Sequence, residues 1–256
     1  MVKGLSICRY DDASSAAGHP VAGHTAEGAS VRVLHPDGYS LWMVELTLPA
    51  GAVIELPDVH GDEILYVVSG ELAVDGTSCT AGGAAVVESG AHPRLAVGEP
   101  AVVLHMGTAA GSLPVGGLNG PISRVPDQVH VVGPDGWLAL ATPGRLSKYF
   151  ADSTCAGCRA TLLYTSRDDE YVSPAHSHSV DELIHVVWGE IRLGAHRLVA
   201  GDTLAVSADQ RYGFRADAGF GFLNYRGDAS QQTVAGAEAP IMEGGLVNGF
   251  ELVART

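Results

Sequence analysis

Lysine is almost missing from these 256 residues: two of the 15 cations are Lys, against 29 carboxylates, for a formal net charge of −14. No basic cluster occurs, so a surface that neutralises a nucleic-acid backbone has nothing to be built from, and the same holds for an anionic membrane surface. Apolar runs are short. None approaches the ~18–20 residues of a membrane span, and Met1 to Ser14 has no apolar core of a secretory signal, so a cytoplasmic location is expected. Four cysteines are too few for a disulfide scaffold, and reduced thiols are expected. Helical periodicity is absent too: no stretch carries an apolar 3.6-residue repeat over three turns.

What is present is a β-rich chain with 46% apolar residues, enough for a substantial core. The 33 Gly and 13 Pro punctuate Val/Ala/Leu/Ile runs of about five to eight residues, the rhythm of a β-sandwich or barrel. Strands are expected at Leu41 to Leu48, Ile64 to Val68, Ala84 to Val87, Ala101 to His105, Arg159 to Ser166, Leu183 to Val187, Ile191 to Leu193 and Gly219 to Tyr225. DEILYVVSGEL from Asp62 and DELIHVVWGEI from Asp181 repeat at a fixed offset of 119 residues, and the offset also maps Gly82 to Gly201 and Leu104 to Leu223. Two copies of about a hundred residues mean two similar β-domains rather than a solenoid. The expected division is 1–112, a Gly/Pro-rich linker at 113–126, a second domain at 127–235 and a tail at 236–256.

The second copy reads His176-Ser-His178-Ser-Val-Asp-Glu182. In a strand, residues i and i+2 face one side about 6.6–7 Å apart, so two imidazoles can converge on an ion with N–metal distances near 2.1 Å. Glu182, four residues on after a bend, can supply a carboxylate. Two neutral His and one carboxylate suit non-haem Fe(II), with Mn, Ni, Co or Zn as competitors.

These residues give the chain its resemblance to the cupins and, because the unit occurs twice, to the bicupins. The family's first motif, G-x5-H-x-H-x3-E-x6-G, is matched by His176, His178, Glu182 and Gly189, with Glu170 in place of the leading Gly. Its second motif, G-x5-P-x-G-x2-H, begins at Gly201 but carries Tyr212 where the fourth ligand His would stand. Tyr212 is therefore an inner-sphere phenolate, an unbound phenol serving as catalytic proton donor, or a core residue. The resemblance implies an all-β fold of two tandem cupin (jelly-roll β-barrel) domains, with strand exchange or a shared interface between them, and a homodimer.

The first copy keeps the spacing but has Pro57 and Val59 at the two His positions, leaving Glu63 without ligand partners, so a metal-free structural copy is expected. His60 lies one residue off the ligand register and His92 stands beside Pro93; only a bulge would bring them inward. His19, His24 and His35, in a Gly/Ala-rich segment, are expected to be solvated loop residues, and His185 to lie between barrel wall and interface. Cys155-Ala-Gly-Cys158 has loop packing, a zinc knuckle and a redox pair as its three readings.

The expected function is a metal-dependent cupin enzyme with one divalent ion, Fe(II) favoured, held by His176, His178 and Glu182. It would be a dioxygenase acting on a small enolic, phenolic or carboxylate substrate. A redox-neutral isomerase, cyclase or lyase, and a non-catalytic ligand-binding bicupin, are the alternatives.

Overall fold

The computed structural model describes residues 4–19, 21–109, 128–152 and 158–236, together with the backbone of 241–243 and 251–252. The expected linker and Cys155 lie outside the described residues. Those described are all-β, with no helix long and apolar enough to cross a membrane.

A seven-stranded sheet runs, in spatial order, through Val129–Val132, Ala84–Val87, Glu63–Ser69, Ala101–Thr108, Leu41–Leu48, Ser30–Val33 and Ser15–Ala17. A five-stranded sheet containing Val53–Glu55, Leu95–Ala96 and Glu71–Val74 shares its core, in which Val44, Leu46, Leu65, Val67 and Val103 meet Ile54, Leu72, Val74 and Leu95. In the second half, Thr203–Val206, Glu182–Leu193, Phe220–Arg226, Thr161–Arg167 and Arg145–Ala151 are successive neighbours of an eleven-stranded sheet. Its inner face carries Ile184, Val186, Phe220 and Phe222.

The continuous apolar run LWMVELTL follows from burial on both faces. Trp42, Val44, Leu46 and Leu48 enter the first core, while Leu41 and Met43 join a separate cluster in which Ile64, Met106 and Leu104 meet Leu162, Leu183, Leu223 and Tyr225. The outer faces of the two large sheets therefore pack on each other, and neither strand face needs polar residues.

The 119-residue offset holds at the level of pairing. Val87 opposes Glu63 as Val206 opposes Glu182; Met106 opposes Ile64 as Tyr225 opposes Leu183; Leu104 opposes Glu45 as Leu223 opposes Tyr164. Gly70 and Gly189 explain one repeated glycine. Both have positive φ, and a Cβ would press on Pro100 O (2.7 Å) in the first case and Gly219 O in the second.

Two further correspondences cross between the halves. Leu5–Cys8, at the N-terminus, pairs with Thr203–Val206, whereas Val129–Val132 pairs with Ala84–Val87, so each half lends a strand to the other. The Asp that opens each repeated motif also reaches across. Asp62 accepts hydrogen bonds from the Ser89 and Arg159 backbone N–H groups (2.9 and 2.7 Å), and Asp181 accepts from Ala208 N–H (2.7 Å) and the Ser40 hydroxyl. Arg159 and Ser40 are themselves 119 positions apart. These exchanges fix where Glu63 and Glu182, the next residues, begin their strands.

Candidate functional site

Glu63 starts the Glu63–Ser69 strand on the same face as Leu65 and Val67, so its carboxylate enters the first core. His105, on the neighbouring Ala101–Thr108 strand, shares the inward parity of Val103 and lies diagonally across from Glu63, which opposes Gly107. His24 precedes the short Thr25–Ala26 strand, which pairs with Val53–Glu55 and closes over that end of the core.

The result is a buried His-Glu-His triad: one donor atom from each of His24, Glu63 and His105 lies within 4.8 Å of the other two. His24 Nε2 is 2.8 and 2.9 Å from the two Glu63 oxygens, and His105 Nε2 is 2.8 Å from Oε2. The other nitrogen of each ring is held. His24 Nδ1–H donates to Val21 O (2.8 Å), which turns Nε2 toward the carboxylate; His105 Nδ1 is 2.8 Å from His19 Nε2. Burial alone would raise the Glu63 carboxyl pKa, but hydrogen bonds from His105 and His24 outweigh it and bring it down to about 2. Burial, reinforced by the neighbouring His105 and His24, lowers His19 to about 2, and burial lowers His105 against the opposing pull of Glu63. A buried carboxylate and one nitrogen from each of two imidazoles, at such separations, form a donor set for a divalent cation, since ligand atoms about 2.1 Å from one octahedral ion sit about 3 Å apart. A groove of about 860 Å³ lined by His19 and His24 reaches the cluster.

Several expectations for the first half are corrected here. His19 and His24 are 2% and 3% exposed rather than solvated, and His35 is half-buried with Nδ1 3.0 Å from Met43 O. The segment folds back over the core through the Thr25–Ala26 pairing, which its Gly/Ala composition does not announce. Glu63 has partners, though not from positions 57 and 59. His60 is buried, 3.8 Å from Glu63 Oε1, with its ring 5.3 Å from that of His92. The sequence did hold one clue to His105: it lies 119 positions before Asn224, on a strand with the same parity.

In the second half, His176 and His178 are both buried, with ring centroids 5.1 Å apart, and Glu182 is fully buried. His176 Nδ1–H donates to Pro174 O (2.8 Å), and His178 Nε2 is 3.7 Å from Glu182 Oε2. That oxygen accepts from Asn224 Nδ2 (2.9 Å) and Arg226 Nε (3.3 Å), and Arg226 also lies 3.5 Å from His178 Nε2. A guanidinium thus stands against Glu182 where the first half presents Gly107. Glu182 Oε1 and Asn224 Oδ1 are buried without a hydrogen-bond partner among the described residues. Tyr212 is buried, its ring 4.5 Å from that of His176, and the two residues exchange backbone hydrogen bonds of 2.8 and 2.9 Å. His185 lies outside this group, with Nδ1 3.0 Å from Thr203 Oγ1, and Cys158 is buried.

No family profile and no curated protein matches the sequence. Solved structures do. The putative glyoxylate-induced protein from Pseudomonas aeruginosa is similar at 16% identity and a TM-score of 0.65, covering 88% of each chain. Oxalate decarboxylase from Bacillus subtilis is similar at 15% identity and a TM-score of 0.60, over 92% of this chain and 79% of that one. A further structure of that enzyme, from work on its Mn(II) centres, has 15% identity and a TM-score of 0.62 over 92% and 80% of the two chains. The fold is that of the cupins. At these identities the likeness concerns the fold, and chemistry must be argued from the side chains.

Proposed function

We propose that this cupin-fold chain is a metal-dependent enzyme whose divalent ion is bound by His24, Glu63 and His105. The observation carrying this reading is the convergence of two imidazole nitrogens and an anionic carboxylate in a buried cluster. The donor set is the 2-His-1-carboxylate type expected from the sequence, assembled in the other half of the chain. It favours Fe(II), with Mn(II), the metal of the B. subtilis neighbour, next. When bound, such an ion supplies Lewis acidity and orients a small enolic, phenolic or carboxylate substrate. The residues of the chain do the rest: Val21 O and His19 fix the two imidazole orientations, and the groove at His19 and His24 admits the substrate. Oxygenation is the favoured reaction; a redox-neutral isomerisation or lyase reaction uses the same donors.

A second reading puts the ion at His176, His178 and Glu182, with Tyr212 as proton donor. Glu182 Oε1, which has no hydrogen-bond partner among the described residues, favours it; against it stands Arg226, a cation that donates to the other oxygen and lies 3.5 Å from His178 Nε2. Metal analysis after reconstitution separates the two. One equivalent lost in Glu63→Gln and kept in Glu182→Gln supports the first-half centre; the reverse pattern moves the ion to the second. Turnover of small enolic or phenolic acids without oxygen uptake would exclude the oxygenase form. The same reading carries the homodimer as a proposal, tested by light scattering.

A further inference from the structure

The repeat makes the two junctions between the halves equivalent, yet they are not filled alike. Ser40 reaches Asp181 as Arg159 reaches Asp62, so the residues just before them, Tyr39 and Cys158, stand at corresponding places 119 positions apart. The exchanged strands correspond as well: Val132 opposes Ala84 as Cys8 opposes Thr203. At the first junction the buried Tyr39 ring packs between the two large sheets, and its hydroxyl donates to Val206 O (2.5 Å), with Glu182 O at 3.2 Å. At the second junction Cys158 joins the same cluster with a thiol alone, bringing neither ring nor hydroxyl. There the structure has a cavity of about 280 Å³, and Cys158 lines it.

The cavity is walled by both halves and is mostly apolar. Val86 and Val132 line it from the first sheet, and Phe150 from the second, with its ring 5.5 Å from that of Tyr66. Trp137 lines it while remaining 42% exposed. Two polar side chains complete the lining: His130, whose Nε2 lies 3.3 Å from Glu88, and the buried Asp152. A carboxylate offers about four acceptor positions, so Asp152 can serve an incoming O–H beside the partners it already has. An apolar cavity of about 150 Å³ takes a benzene ring, and this one has space for a ring and its substituents. We infer that this cavity binds a small uncharged phenol, which supplies at the second junction the ring and hydroxyl that Tyr39 supplies at the first. Neither donor triad lines the cavity, so the site lies beyond the metal-dependent reading and is tested with chelator present, where phenol binding to a metal ion does not enter.

4-Methylphenol, which has the shape of a tyrosine side chain, is titrated calorimetrically into the full chain, with toluene as the isostere lacking the hydroxyl. The expected result is saturable binding at one site, with toluene weaker by about tenfold or more, a difference of about 1.4 kcal/mol. Saturating 4-methylphenol should also raise the melting temperature, because the folded state alone holds the site. Cys158→Tyr, which gives the second junction the residue of the first, should abolish binding. Trp137→Ala should weaken it by about tenfold or more, whereas Trp188→Ala, another surface tryptophan but off the cavity, should leave it unchanged. Where Cys158→Tyr does not fold, the half-exposed Trp137 decides the matter through its alanine variant. Absence of saturable binding, equal affinity for 4-methylphenol and toluene, or undiminished affinity in the Cys158 or Trp137 variant would overturn the inference.

Discussion

Acid should destabilise this protein through a residue that belongs to neither candidate centre. His185 is buried on the Glu182–Leu193 strand, and burial, partly offset by Asp202, lowers its pKa from 6.5 to about 4. Among the described residues its Nδ1 bonds the Thr203 hydroxyl (3.0 Å), a neutral partner that cannot compensate an imidazolium. The unfolded chain therefore takes up the proton first as pH falls. The stability is intact above about pH 6.5, is lost at about 1.4 kcal/mol per pH unit between 6.5 and 4, and is gone below that, about 3 kcal/mol in all. Between pH 7 and pH 5 the loss from this residue is about 2 kcal/mol. Other histidines with lowered pKa, His19 and His35 among them, add to the total, so the variant isolates the contribution. Urea unfolding of the wild type and of His185→Gln, which keeps a hydrogen-bonding group for Thr203, should be measured at both pH values with chelator present. The variant should lose about 2 kcal/mol less on acidification. Equal losses in the two proteins would refute the reasoning.

Replacing His19 with Asn should weaken metal binding by about 10- to 100-fold while keeping the stoichiometry, because it removes the partner that orients the His105 ring; equilibrium dialysis against a competing chelator checks this. Gly189→Ala should destabilise by more than about 2 kcal/mol in urea, since the residue has positive φ and its Cβ would press on Gly219 O. Converting the second half to the pattern of the first with Asn224→His and Arg226→Gly should add a metal equivalent. In metal-free form the double variant should lose about 3–5 kcal/mol, the cost of removing one member of a buried ion pair.

The β architecture was legible because short apolar runs between Gly and Pro leave few other ways to bury 46% apolar residues. The repeat was legible because its spacing is set by pairing: Glu63 and Glu182 occupy equivalent ladder positions, and Gly70 and Gly189 turn against equivalent carbonyls. Less visible was the continuous run from Glu182 to Leu193, expected as two strands; the register shift between Val186 and Trp188 lets one strand bend through both. The cross-half contacts of Asp62 and Asp181 left no local trace, since their partners lie about a hundred residues or more away.

The candidate centre was half legible, and the division has a physical cause. Motif spacing reports groups that share a strand, which is how His176, His178 and Glu182 stand out. A donor brought by a neighbouring strand is invisible to spacing, because its position depends on register rather than on sequence distance. Glu63 and Glu182 illustrate the consequence. Each begins an equivalent strand, and what each carboxylate meets is decided by two positions across the ladder: His105 and Gly107 in one half, Asn224 and Arg226 in the other. His with Gly sets a nitrogen donor beside the carboxylate and no cationic side chain, whereas Asn with Arg supplies an amide and a built-in cation. The same scaffold thus sets one carboxylate among imidazoles and neutralises the other with an arginine.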